Sequence, residues 1–272
     1  MSPLPDGRPR RTRIHMAWIG LGLLLGATPA LAADLPIEDP PAAYARCMDL
    51  ARTRPNQGFE AAVGWEGLGG GDPARHCAAV ALMGLGQHTE AAGRLETLAE
   101  DSQGPLPLRL DILAQAATAW MLARNPQRAE AVLTTALDLA SRGEANARAR
   151  MPGLLIDRAT ARAEAGAVLQ AARDLDQVLD ADPGNLEARA LRASALRQAG
   201  SLAAAEADAD AVLRADPTHP DALLEKGNIE RLSGRPNEAR ATWLRLLEVV
   251  PPDTPEAQAA RDNLADLDAS PE

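Results

Sequence analysis

From residue 152 onward the apolar, small and polar positions of the chain repeat every 34 residues. Leu169, Ala172, Leu175, Val178 and Leu179 recur at three- and four-residue steps, the spacing of one apolar helix face. Pro183, Pro217 and Pro251 close three successive units. Gly166, Gly200 and Gly234 keep the same interval, as do Ala159, Ala193 and Gly227, the trio Ala171, Ala205 and Ala239, and the trio Val178, Val212 and Leu246. Each column has a physical reason. The small residue eight positions into the unit and the alanine at position 20 sit where two antiparallel helices cross, and a larger side chain there would push them apart. Glycine at position 15 ends the first helix, where a left-handed cap is common. Proline at position 32 stops the second. Each unit therefore predicts helix, turn, helix.

The frame extends upstream with less fidelity. Ala117, Ala129, Leu133 and Ala136 fit a unit starting near Leu110, with Asn125-Pro126 at its internal turn. Ala79, Gly86, Ala91 and Leu95 fit another starting near Asp72, and a degenerate unit beginning near Pro41 carries Tyr44, Cys47 and Trp65. The expected units are 41–71, 72–104, 108–143, 152–185, 186–219 and 220–253, with a polar capping helix at 255–267 and a disordered tail at 268–272. The stretch SQGPLP at 102–107 and about eight extra residues at 142–151 read as loops between units. Gly69-Gly70-Gly71 lacks the Lys-Ser/Thr and preceding strand of a phosphate loop and reads as a linker.

The small, glycine, alanine, apolar and proline columns resemble the tetratricopeptide repeat family. The stretch LRASALRQAGSLAAAEADADAVLRADP looks like a member with its aromatics reduced to alanine, and Trp243 keeps a bulky residue where the neighbouring units have Leu175 and Ala209. The resemblance implies an all-α, right-handed superhelical solenoid of about six antiparallel helix pairs, its concave face lined by first helices. Carried onto this chain, the groove positions are Asn228 and Arg231, then Ser194, Arg197 and Gln198, then Thr160 and Glu164, and further up Thr118, Met121 and Leu122. Arg197, Asn228 and Arg231 form a candidate site for a peptide carboxylate or an acidic side chain. Arg158, Arg192 and Lys226 share position 7 and are expected to bridge to Asp174, Asp176, Asp208 and Asp210 on the second helices.

The N-terminus changes the compartment rather than the fold. Arg8, Arg10, Arg11 and Arg13 precede an apolar run and Ala30-Leu31-Ala32, the layout of a secretory signal over 1–32 with cleavage expected after Ala32 and a short linker at 33–40. Its removal takes away four arginines and one aspartate, so the formal charge of −10 becomes −13. A chain this acidic repels nucleic acid and anionic headgroups. Cys47 and Cys77 are the only cysteines, and an even count in an exported chain reads as a disulfide, with redox or metal roles as alternatives because His76 adjoins Cys77. The resemblance places that bond between the first helices of the first two pairs. His88 and His219 stand near turns, and no Ser/His/Asp set, HExxH or acid pair is present, so no catalytic residue, metal or cofactor is expected. Near-absence of lysine beside abundant arginine points to a GC-rich bacterium and hence a periplasm. The sequence thus reads as an exported bacterial scaffold with a protein or peptide partner, no nucleic-acid partner and no membrane span once the signal is cleaved. The alternatives are an envelope receptor for a glycan or lipid, or a non-catalytic subunit of an enzyme complex.

Overall fold

A computed structural model describes residues 39–269. The expected secretory signal and most of the 33–40 linker lie outside the described residues, as do 270–272. The described residues form helices and connecting turns, with no strand among them. Six antiparallel pairs follow one another: α1 (Pro40–Thr53) with α2 (Pro55–Gly67), α3 (Gly71–Gly84) with α4 (His88–Asp101), and α5 (Leu106–Leu122) with α6 (Pro126–Arg142). After the one-turn α7 (Ala145–Arg148) come α8 (Met151–Glu164) with α9 (Val168–Ala181), α10 (Leu186–Gln198) with α11 (Leu202–Ala215), and α12 (Pro220–Leu232) with α13 (Pro236–Val249). Helix α14 (Pro255–Ala269) closes the array. Contacts run between consecutive helices and between neighbouring first helices, so the molecule is an all-α solenoid in which each pair touches only its neighbours.

Two expectations are corrected. The extra residues at 142–151 are not a plain loop: α7 forms there, with Ala147 buried and the Arg148 guanidinium donating back to the O of Gly143, which ends α6. The tail does not begin at 268, because α14 runs to Ala269, held at its end by an ion pair between Arg240 and Asp268. The cap is also less polar than its composition reads, since Ala257 and Ala260 are buried and Leu264 and Leu267 pack against Trp243 and Leu246.

The repeat columns do physical work at the helix crossings. Ala159, Ala171, Ala193, Ala205, Gly227 and Ala239 are all buried. Gly86, Gly166, Gly200 and Gly234 have positive φ at the ends of their first helices, where the left-handed conformation costs glycine little. In the third pair the same corner is made by Arg124 at φ 59°. Gly227 has a second reason. A Cβ there would collide with the Trp243 indole, so the pair that keeps a bulky tryptophan at repeat position 24 also reduces its crossing residue to glycine. Alanine cores bury little area per residue. Between Ala79 and Ala195 one continuous apolar cluster runs through four pairs, but around α10 and α11 it breaks into two small groups, Ala193 with Ala205, Ala209 and Ile229, and Ala190 with Val212 and Ala222.

Candidate functional site

Buried and half-buried ion pairs join helices within pairs and between them. The Asp174 carboxylate, 1 % exposed, accepts from Arg158 at 2.8 and 2.9 Å and from Arg162 at 2.7 Å. Arg192 reaches Asp208 at 2.7 Å within its own pair and Asp176 at 2.7 Å in the preceding one, and these carboxylates hold its pKa above the usual guanidinium value. Lys226 makes no bridge to the second helix of its own pair, and within the pair it only stands 3.8 Å from Glu230 of its own helix. Its Nζ donates to Glu206 and Asp210 of α11, each at 2.7 Å, so it ties the last pair to the one before it. The position-7 cations are therefore engaged internally, between pairs as well as within them.

The first helices present the groove positions. On α10 and α12 the predicted residues come to neighbouring places with different degrees of engagement. Arg197 donates to Glu225 of α12 at 2.5 Å, and Glu225 is 9 % exposed, so this cation is committed to the fold. Asn228 accepts from Asn263 of α14 at 2.9 Å, and Gln198 donates to Ser194 at 3.3 Å. Arg231 is exposed, and its side chain makes no hydrogen bond or ion pair with a described residue. Of the three residues expected to take a carboxylate, Arg231 is the member with an unengaged side chain.

A second site lies at the other end, on α1, α3 and α5, and sequence reasoning did not find it. Asp39 caps α1 through Ala42 N at 3.1 Å, and Pro40 and Pro41 set its first turn. One turn on, Tyr44 meets His76 of α3, with ring centroids 6.0 Å apart. The two His76 nitrogens are bridged, Nδ1 to Tyr44 Oη at 2.8 Å and Nε2 to Gln115 Oε1 of α5 at 2.8 Å. Since Gln115 Oε1 only accepts, the imidazole proton sits on Nε2 and Tyr44 donates to Nδ1. Gln115 Nε2 in turn donates to Asp111 O at 3.4 Å. Burial is the main cause that pushes His76 down from 6.5 and raises Tyr44 above 10.0. Above this relay opens a cavity of about 630 Å³, walled by Pro40, Pro41, Pro73, Leu98, Leu108 and Ile112, with Asp72 and Asp111 at its sides. Cys47 and Cys77 form a disulfide with Cα atoms 6.1 Å apart, joining the two helices that carry Tyr44 and His76.

Among the described residues no group of three or more His, Cys, Asp or Glu side chains is disposed to hold a metal, and no helix is long and apolar enough to cross a membrane. Gly69 and Gly71 form a left-handed turn leading into α3.

Two tetratricopeptide repeat family models match the chain, at residues 156–220 and 196–264. No curated protein matches it. Among solved structures, it is similar to a tetratricopeptide repeat protein from Parabacteroides merdae, at 14 % identity and a TM-score of 0.58 over 81 % of this chain and 84 % of that one. It is also similar to residues 41 to the end of MamA from Desulfovibrio magneticus, at 16 % identity and a TM-score of 0.53 over 65 % of this chain and 94 % of that one. At such identities the likeness is one of fold.

Proposed function

Because the chain is a tetratricopeptide repeat protein, we propose that it is an exported, non-catalytic scaffold of a bacterial envelope that holds a partner protein or peptide on the face made by its first helices. The observation that carries this reading is the N-terminal cavity opening on α1, α3 and α5, a recess of about 630 Å³ with apolar walls and a polar centre, in a fold whose charged ladder is otherwise satisfied internally. Solenoids of this kind act through extended surfaces. Export is supported by the basic, apolar and A-x-A segments over 1–32 and by a cysteine pair in bonding geometry, which persists in oxidising compartments.

Crosslinking in intact cells, followed by affinity purification and mass spectrometry of the processed protein, tests the reading. A reproducible envelope partner and a mature N-terminus at Ala33 are expected. Recovery of the bare chain over several crosslinker lengths, or of an unprocessed cytoplasmic protein, would count against it. Arg231→Glu is the informative groove variant at the C-terminal end, because Arg197→Glu would set a second carboxylate against the buried Glu225 and disturb folding as well as binding.

A further inference from the structure

We infer that the cavity between α1, α3 and α5 receives an apolar side chain of a partner peptide that carries lysine or arginine beside it. The inference rests on the partner-binding reading above and adds the chemistry of the bound segment. The polar centre of the cavity is already satisfied. Tyr44 donates to His76, His76 to Gln115, and Gln115 to the Asp111 carbonyl. An occupant therefore needs no hydrogen-bonding group at depth, and what the walls offer is contact with Leu98, Leu108, Ile112, the prolines and the Tyr44 ring.

Charge decides what flanks the apolar group. The lining holds two carboxylates, Asp72 and Asp111, and no lysine or arginine. Each is paired with an arginine that does not line the cavity: Arg150 binds Asp111 at 2.7 Å, and Arg75 stands 3.7 Å from Asp72 while pairing more closely with Asp101 at 2.8 Å. Arg52 of α1 is near enough to act on Tyr44 and His76. Asp72 is thus the rim carboxylate with the weakest internal partner. A fatty carboxylate or lipid phosphate would bring its charge against these acids. A sugar would find Tyr44 as the sole aromatic platform in the lining. A cationic, apolar peptide meets neither objection, and a chain of net charge −10 attracts it at longer range.

The test is calorimetric titration of the full exported chain with a blocked hexapeptide in which two leucines stand between paired lysines, together with the NMR ring signals of His76. The lysine peptide is expected to bind, to shift His76, and to weaken with added salt. Leu108→Lys should weaken it by about tenfold or more, since it puts a like charge at the mouth from a half-exposed position. Asp72→Asn should weaken it roughly two- to fivefold while leaving the fold intact. Equal or tighter binding of the glutamate-flanked analogue, failure of the lysine peptide to bind, binding that ignores Leu108→Lys, or capture of phosphatidylglycerol vesicles in its place would each overturn the inference. If Leu108→Lys does not fold, Asp72→Asn and the native His76 signals decide. Continued capture of an envelope partner by crosslinking would then show that the scaffold reading survives and only the assignment of this cavity has failed.

Discussion

Arg124 stands in the left-handed corner that Gly86, Gly166, Gly200 and Gly234 form in other pairs, at φ 59° against 73° to 81° for the glycines. A side chain in that region costs roughly 1–2 kcal/mol, and glycine gives back part of that through its freer unfolded state. Arg124→Gly is therefore expected to stabilise the chain by about 0.5–1 kcal/mol, and Gly200→Ala to destabilise it by about 1 kcal/mol, read as opposite shifts of the urea midpoint. His76 gives a pH signature of definite sign. Its folded pKa lies below the unfolded 6.5, chiefly through burial, among Arg52 on α1, Asp72 and Arg75 on α3 and Asp111 on α5. The unfolded chain then binds the proton more readily, so the His76 contribution is constant above about pH 6.5 and stability falls as pH drops from there through the folded pKa. His76→Gln should flatten that part of the melting-temperature profile. An unchanged slope would place the titrating group elsewhere. At this scale the sequence is only partly legible. A glycine column announces a left-handed corner, but nothing local marks Arg124 as one, because there the tertiary frame overrides the residue's own preference.

Helix pairs show where pattern reading succeeds and where it stops. Columns at positions 8, 15, 20 and 32 mark helix crossings and ends directly, so six pairs and a cap are legible in the amino-acid pattern alone. Helix α7 escapes because one turn is too short to carry a periodicity. The Tyr44–His76–Gln115 relay escapes for another reason. Its members come from three units that keep the repeat frame with less fidelity, one of them degenerate, and they meet only once neighbouring first helices are in register. The groove trio falls on the expected helices, but its pairings with Glu225 and Asn263 depend on contacts across units that a single-repeat template does not contain. The Gly227–Trp243 contact is testable as a coupled pair. Gly227→Ala drives a Cβ into the indole of a tryptophan that is itself fully buried, so a loss of about 1–3 kcal/mol is expected. In a Trp243→Leu background the same substitution should cost less than half as much. A double-mutant cycle in urea measures the difference, and additivity would mean that the glycine serves some other need.

In the whole molecule, stability is distributed along a line. Each pair leans on its neighbours, the apolar cluster thins at α10 and α11, and buried ion pairs such as Arg192 with Asp208 span that region. The N-terminal end has a different support. Its core is small, built around Ala51, Ala62, Trp65, Ala74 and Ala78, and the disulfide crosses it between residues 30 apart. In the chain-entropy account, closing such a loop contributes about 3–4 kcal/mol to the part of the molecule that contains it. Because a solenoid passes stability only from neighbour to neighbour, that contribution should stay local. Replacing both cysteines by alanine is therefore expected to lower amide protection in α1 to α3 by roughly 3 kcal/mol and to leave α8 to α13 within about 0.5 kcal/mol of the parent, measured by native-state hydrogen exchange resolved along the chain. The same variant should lose the shift of His76 on peptide addition, since the wall that carries Tyr44 would no longer be held against α3. Uniform loss of protection from end to end would instead mean that the six pairs unfold as one cooperative block, and that the disulfide stabilises the repeat array rather than the cavity.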